Sequence, residues 1–191
     1  MVLPSLQTKW ISDEKGYGLF ATEFIPKGTV TYCQDLLDIV ISPDELSKLP
    51  QVLIDSIHKF AFEPPCGNMV LSWDNAKYIN HCCQPNSLST GYEFEIAVRD
   101  VQADEELTTN YRLFSKHNTF QFFCDNSQCP RSPMNELPLE SIDCSIKSAL
   151  AYYEKVVQPL DFLVSPLVAE KLKDYLRGNL SYTSVAEQLP V

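Results

Sequence analysis

The stretch Tyr78-Ile79-Asn80-His81-Cys82-Cys83-Gln84-Pro85-Asn86 constrains this chain more than any other. Asn80, His81, Cys82, Cys83 and Asn86 bring hydrogen-bonding, metal-binding and nucleophilic capacity into one short segment. Tyr78 and Ile79 read as its buried approach. Such a loop suits recognition of the polar end of a ligand; the plainer alternative is a core pair that satisfies backbone groups. Cysteine-protease chemistry does not fit, because His81 and Cys82 are too close in sequence to place a base against a thiol nucleophile. The 3 histidines, His58, His81 and His117, show no metalloprotease spacing.

What flanks this stretch reads mainly as short strands. Trp10-Ile11-Ser12 and Leu19 to Thr22 are strand-like, joined by a turn in which Gly16 and Gly18 permit positive φ and leave backbone groups accessible. Thr29 to Cys33 is a β-branched run after the Pro26-Lys27-Gly28 turn, and Leu36 to Val40 reads as an edge strand. Ser42-Pro43-Asp44-Glu45 is a helix start with a capping box, and Val52, Ile54, Ile57 and Phe60 pack a short segment after Pro50. Met69 to Trp73 reads as a strand and Asp74 to Tyr78 as one capped helical turn. Ser87 to Gly91 reads as a turn. Tyr92, Phe94, Ile96 and Val98 then alternate with Glu93, Glu95, Ala97 and Arg99 as a half-buried strand, and Glu106 to Thr109 begins another. Beyond Tyr111 come bulky apolar residues beside Cys124 and Cys129, a proline-rich connector, a helix from Ile142 to Val157 that Pro159 ends, and a last helix from Ser165-Pro166 to Gly178. Residues after Asn179 read as peripheral.

A length of 191 residues allows one well-buried domain with a small appendage. The formal charge of -10 argues against binding to a phosphate backbone and in favour of a basic partner. The 7 irregularly spaced cysteines, with Cys82 and Cys83 adjacent, indicate a reducing compartment. No secretory signal or membrane-spanning run is visible. These features fit an intracellular protein, nuclear or cytoplasmic, or an effector secreted without a cleaved signal and acting inside a host cell.

Three ordered motifs carry a family resemblance. Gly16-Tyr17-Gly18-Leu19-Phe20-Ala21-Thr22 with Ile25-Pro26-Lys27-Gly28, then Asn80 to Asn86, then Ile96 to Val101 with Glu105 to Tyr111, resemble the SET-domain family of protein-lysine methyltransferases over roughly residues 10–131. The resemblance implies a mainly β chain with C-terminal helices, a β-clip fold of small curved sheets with a pseudoknot. It divides the chain into a SET domain with a partial post-SET region at 1–131 and a helical extension at 132–191 on or beside it. S-adenosylmethionine would lie on one face and a substrate lysine would enter from the other.

By the same resemblance Tyr111 is the central active-site tyrosine, Tyr32 a second wall of the lysine channel, and Thr109 the residue whose size sets room for a methylated amine. Lys15, Gly16, Tyr17, Gly18, Tyr78, Asn80 and His81 would bind the cofactor. The chemistry asks for alignment and charge shaping rather than a strong base, with lysine deprotonation beside the sulfonium or through water. Cys83, Cys124 and Cys129 match three ligands of a post-SET zinc site, while Phe122 stands where a further cysteine is expected; zinc, or apolar packing in its place, follows. Cys82 replaces the usual serine and Asn110 a frequent aspartate. The expected substrate is a basic protein, a histone tail first, with neither nucleic acid nor membrane as a partner and a homodimer through the C-terminal helices as one assembly. The competing readings are a non-catalytic SET-like interaction module, a methyltransferase of a non-histone protein, and a small zinc-binding structural protein.

Overall fold

The computed structural model describes residues 1–64, 67–114, 124 and 138–188. Among these residues nine strands follow in chain order: β1 Leu6–Ser12, β2 Gly16–Ala21, β3 Val30–Cys33, β4 Ile39–Ile41, β5 Met69–Leu71, β6 Asn80–His81, β7 Ser87–Ser89, β8 Phe94–Ala97 and β9 Glu106–Thr109. They form three small sheets, ordered β1-β2-β9-β6, β3-β8-β7 and β4-β5. All pairings are antiparallel except β6 with β9, where Asn80 faces Thr108 and His81 faces Thr109 in parallel. That pairing brings the Asn-His stretch beside the chain that leads into Tyr111.

Between β4 and β5 the capping box forms as expected. Ser42 Oγ accepts from Glu45 N–H, and the Glu45 carboxylate accepts from Ser42 N–H, opening α1 (Pro43–Leu46). Helix α2 (Gln51–Phe60) follows Pro50 and buries only Ile57.

Four details differ from the sequence reading, the last of them in the segment after Asn179. Ser87–Ser89 is strand β7 rather than a turn, paired with β8 from Ser87↔Ala97 to Ser89↔Glu95. Strand β8 is buried at every position, because it is the middle strand of its sheet and α3 (Leu139–Leu150) packs against it. Alternation misplaced Glu95, which lies inside. Helix α3 also ends at Ala151, well before Pro159. Past it, the Gln158 side chain accepts from Val30 N–H at 2.9 Å and donates to Gly28 O at 2.8 Å, so this segment satisfies backbone groups on the free side of β3.

Helix α4 (Pro166–Leu176) starts at the Ser165 cap, and Gly178 follows it at φ +77°. The segment after Asn179 is not peripheral. Tyr182 donates to Asp143 at 2.7 Å, Val185 N–H donates to the same carboxylate at 3.0 Å, and Val185 is buried. One continuous apolar core joins Leu19, Ile96 and Leu107 of the sheets to Ile146, Leu150, Leu160 and Leu172 of the C-terminal helices. Each such side chain contributes about 1.5–3 kcal/mol on burial, so the helices are part of what holds the sheets together. Among the described residues no helix is long and apolar enough to cross a membrane.

Candidate active site

One end of the site is built where β2 passes β9 and β6. Gly16 turns the chain at φ +73°, a conformation that suits glycine. At Gly18 the requirement is space: a Cβ would stand 2.6 Å from both Glu106 Oε1 and Ile11 Cδ1, and 3.0 Å from Asn80 Nδ2. The Asn80 amide occupies the room so left, donating to Tyr17 O at 3.0 Å and to Glu106 Oε1 at 2.8 Å. The other oxygen of Glu106 pairs with Lys15 Nζ at 3.3 Å, with both side chains largely buried. Tyr17 stays about half exposed, its ring 5.2 Å from Trp10 and 5.6 Å from Tyr78, which in turn meets Phe60 at 5.9 Å.

The junction of the two threads is fastened by Asn86. Its amide donates to Glu106 O at 2.8 Å and its carbonyl accepts from Thr108 N–H at 2.8 Å, and the residue is fully buried. Asn86 belongs to the stretch singled out in the sequence but carried no site role there; an Asn that bonds a neighbouring strand like a backbone unit leaves no spacing signal.

Beyond the junction, Cys82 N–H extends the parallel ladder to Thr109 O at 2.9 Å. His81 Nδ1 accepts from Tyr111 N–H at 3.2 Å. Burial, aided by the Lys15 charge, pulls the His81 pKa down to about 4, so the imidazole is neutral at physiological pH. Asn110 Oδ1 accepts from Arg112 N–H at 3.0 Å, capping the 3-10 turn Tyr111–Leu113 as an aspartate would. The Tyr111 hydroxyl donates to Ile79 O at 2.8 Å, which fixes the orientation of the phenol on the cavity wall. Burial, with Glu106 and Glu95 nearby, raises its pKa and keeps it a phenol.

Opposite stands Tyr32, whose hydroxyl donates to Asp38 Oδ2 at 3.0 Å and lies 3.1 Å from Ser72 Oγ. Its ring meets Phe62 edge-on. Glu95 faces Tyr32 across the β3–β8 pairing and is 5% exposed. A cavity of about 1250 Å³ runs from Lys15, Tyr17, Tyr78 and Asn80 to Tyr32, Thr109, Tyr111 and Glu95. The C-terminal segment supplies part of its wall through Leu163, Ser165 and Val168. Lys15, Gly16, Tyr17, Tyr78, Asn80, His81, Tyr32, Thr109 and Tyr111 therefore line one space, with Gly18 packed immediately behind Asn80. Glu95, Trp10 and Phe60 also line it and carried no site role in the sequence reading.

The cysteine set is less complete. Cys124 Sγ lies 3.9 Å from Cys83 Sγ, and burial raises the pKa of the adjacent Cys82 thiol. Cys129, Phe120, Phe122 and Phe123 lie outside the described residues. Among the described residues no group of three or more His, Cys, Asp or Glu side chains is placed to hold a metal ion, so the zinc expectation has no support there.

Residues 16–112 match the SET domain family, and this segment contains Tyr17, Tyr32, Asn80, Thr109 and Tyr111 of the cavity lining. The chain belongs to the SET-domain family. A histone-lysine N-methyltransferase of Mycosarcoma maydis, described as H3 lysine-36 specific, is 29% identical over 130 residues, which is 62% of this SET protein and 13% of that relative. This chain thus matches only a small part of the relative's length. A Plasmodium falciparum crystal structure, described as a histone methyltransferase, has 20% identity and a TM-score of 0.40, covering 58% of this chain and 95% of its own.

Proposed function

We propose that this SET protein is an S-adenosylmethionine-dependent protein-lysine N-methyltransferase acting on a basic protein, with a histone tail as the first substrate to test. The observation that carries the reading is the single cavity joining the Gly16–Gly18 turn and Asn80 at one end to Tyr111, Tyr32 and Thr109 at the other. The residues at the first end suit the cofactor: Gly18 lets Glu106 and Asn80 pack close against β2, and Lys15, paired with Glu106, places an ammonium on the cavity wall where a cofactor carboxylate could meet it. Tyr17, Tyr78 and Asn80 would complete that hold, with His81 locking the wall behind it. The bound cofactor supplies the electrophilic methyl group.

The other end orients the amine. Tyr111, held by Ile79 O, turns its phenol oxygen toward the space where the substrate nitrogen would reach, and Tyr32 and Phe62 wall a channel for an aliphatic side chain. Carboxylates outnumber cations along the lining, where Asp13, Glu14, Glu63 and Glu93 stand with Lys59 and Lys77, which favours a positively charged substrate. Thr109 is small, which leaves room for an amine that already carries a methyl group; mass spectrometry of products containing only monomethyl-lysine would overturn that expectation. The decisive experiment is labelled methyl transfer to core histones and to a whole-cell extract, wild type beside Tyr111→Phe. Label that enters neither sample would favour a non-catalytic SET module instead.

A further inference from the structure

A carboxylate inside a channel for an ammonium group has chemistry available to it that a phenol lacks. Glu95 sits on the middle strand β8, 5% exposed, where the cavity reaches its inner wall. Ser87 Oγ donates to its Oε2 at 3.1 Å, and Ser87 Oγ is itself 2.6 Å from Thr31 Oγ1. The Thr109 hydroxyl stands near it, buried and with no hydrogen bond of its own among the described residues. Among the described residues no Lys or Arg pairs with Glu95; what holds it is the Ser87 hydroxyl, with the Thr109 hydroxyl close by. A buried carboxyl so arranged is costly unless something cationic visits it.

We propose that Glu95 receives the substrate lysine's ammonium group at the inner end of the cleft and takes the proton that must leave before the amine can be methylated. The inference rests on the methyltransferase reading and adds a base to it. One ammonium N–H bond breaks and its electron pair remains on nitrogen as the nucleophilic lone pair. The proton forms an O–H bond on Glu95, which becomes a neutral carboxylic acid and returns the proton to cleft water after product leaves. No oxidant or further reactant is required.

The surroundings suit that exchange. Burial raises the Glu95 pKa to about 7, with the Ser87 and Thr109 hydroxyls pulling partway back, so the group is poised between its two forms at neutral pH. The titratable groups around it are the Tyr32 phenol on β3 and the Tyr111 phenol after β9, with Asp38 behind Tyr32 and His81 behind Tyr111. Both phenols stay protonated and the imidazole neutral across this range, so Glu95 is the group of this set whose charge changes near pH 7.

The test pairs a binding measurement with a rate measurement. In the first, the Glu95 side-chain carboxyl ¹³C resonance, assigned by its loss in Glu95→Gln, is titrated with and without n-butylammonium. Its midpoint should lie near 7 alone and fall by about one unit or more with the amine, because a cation favours the carboxylate. In the second, Glu95→Gln should lower the rate of methyl transfer to core histones by roughly 10- to 100-fold at pH 7, with the deficit closing as pH approaches the lysine range near 10. Glu95→Asp should recover part of the loss. A midpoint indifferent to n-butylammonium, a Glu95→Gln enzyme with the wild-type pH profile, or a deficit equal at every pH would each overturn the base role. If wild type itself transfers no methyl group, the methyltransferase reading falls, while the n-butylammonium titration still decides whether Glu95 binds an amine.

Discussion

The two ends of the cleft are built by opposite means. At the glycine end the groups that face the cavity are charged or aromatic, and one of them is open: Lys15 pairs with Glu106 largely out of water and Asn80 sits between two partners, while Tyr17 stays about half exposed. At the tyrosine end they are buried and neutral or poised: Tyr111 on a backbone carbonyl, Tyr32 on Asp38, Glu95 on Ser87. An open end gives up a bulky ligand after each cycle without reorganising the core. A buried end strengthens every electrostatic interaction made there, because water no longer competes. On the proposed methyltransferase reading, that difference would separate cofactor exchange from chemistry within one cavity.

The largest effect should come from the side chain that serves both ends. Asn86→Ala removes the partners of Glu106 O and Thr108 N–H, two backbone groups at the crossing of the threads. At about 1–3 kcal/mol for each buried group left unsatisfied, the loss of folding stability should be roughly 4 kcal/mol. Chemical denaturation measures it. A loss under about 1 kcal/mol would mean the two ends are held together by something other than this residue.

Tyr111→Phe should then split the ends. The hydroxyl it removes donates to Ile79 O at the tyrosine end, so methyl transfer should fall by about 100-fold or more, the usual effect of losing one preorganised polar group. S-adenosylmethionine affinity by calorimetry should stay within about threefold. Equal losses in both measurements would erase the distinction between the two ends.

Glu95 gives a smaller effect with a defined sign. An unfolded glutamate ionises near 4.5 and folded Glu95 near 7, so wild-type stability falls as pH rises between those values and levels off above them. The interval corresponds to about 3 kcal/mol, part of which local relaxation returns. Glu95→Gln, which keeps an acceptor for Ser87, should therefore be more stable than wild type by roughly 2 kcal/mol at pH 8 and nearly equal to it at pH 4. A thermal melt series that shows the same difference at both pH values would place the carboxylate in a solvated setting. Stability gained by removing a group that activity needs is the pattern expected of a functional residue.

This contrast also explains what could be read from the chain. The glycine turn, the Asn-His stretch and the Asn110-Tyr111 ending are local patterns, and Gly16, Tyr17, Asn80, His81 and Tyr111 from them line one cavity. The capping box at Ser42 and the Gly178 stop were legible for the same reason: their partners lie within one helical turn or at one backbone angle. Glu95 was not legible. Alternation along β8 tells which residues share a face, but not that both faces will be covered once α3 packs against the strand from a distant part of the chain. Tyr182 and Val185 escaped similarly, since their anchor is Asp143, far back along the chain. Cys129 was legible as a candidate ligand and lies outside the described residues.

The smallest effect probes the open end alone. Gly18→Ala introduces a Cβ 2.6 Å from Glu106 Oε1 and from Ile11 Cδ1, both at the far ends of side chains that can swing aside. The backbone at Gly18 does not need positive φ, so the cost is a displaced side chain rather than strain along the chain. Displacing Glu106 disturbs its bonds to Lys15 and Asn80 together, and with them the polar wall proposed to hold the cofactor. Affinity for S-adenosylmethionine should fall by about tenfold, or about 1.4 kcal/mol. Turnover at saturating cofactor should change by less than about threefold, because Tyr111 and Tyr32 keep their own partners, Ile79 O and Asp38. Opposite results, with turnover lost and affinity kept, would show that Glu106 transmits strain through β9 to Tyr111 and that the two ends act as one unit.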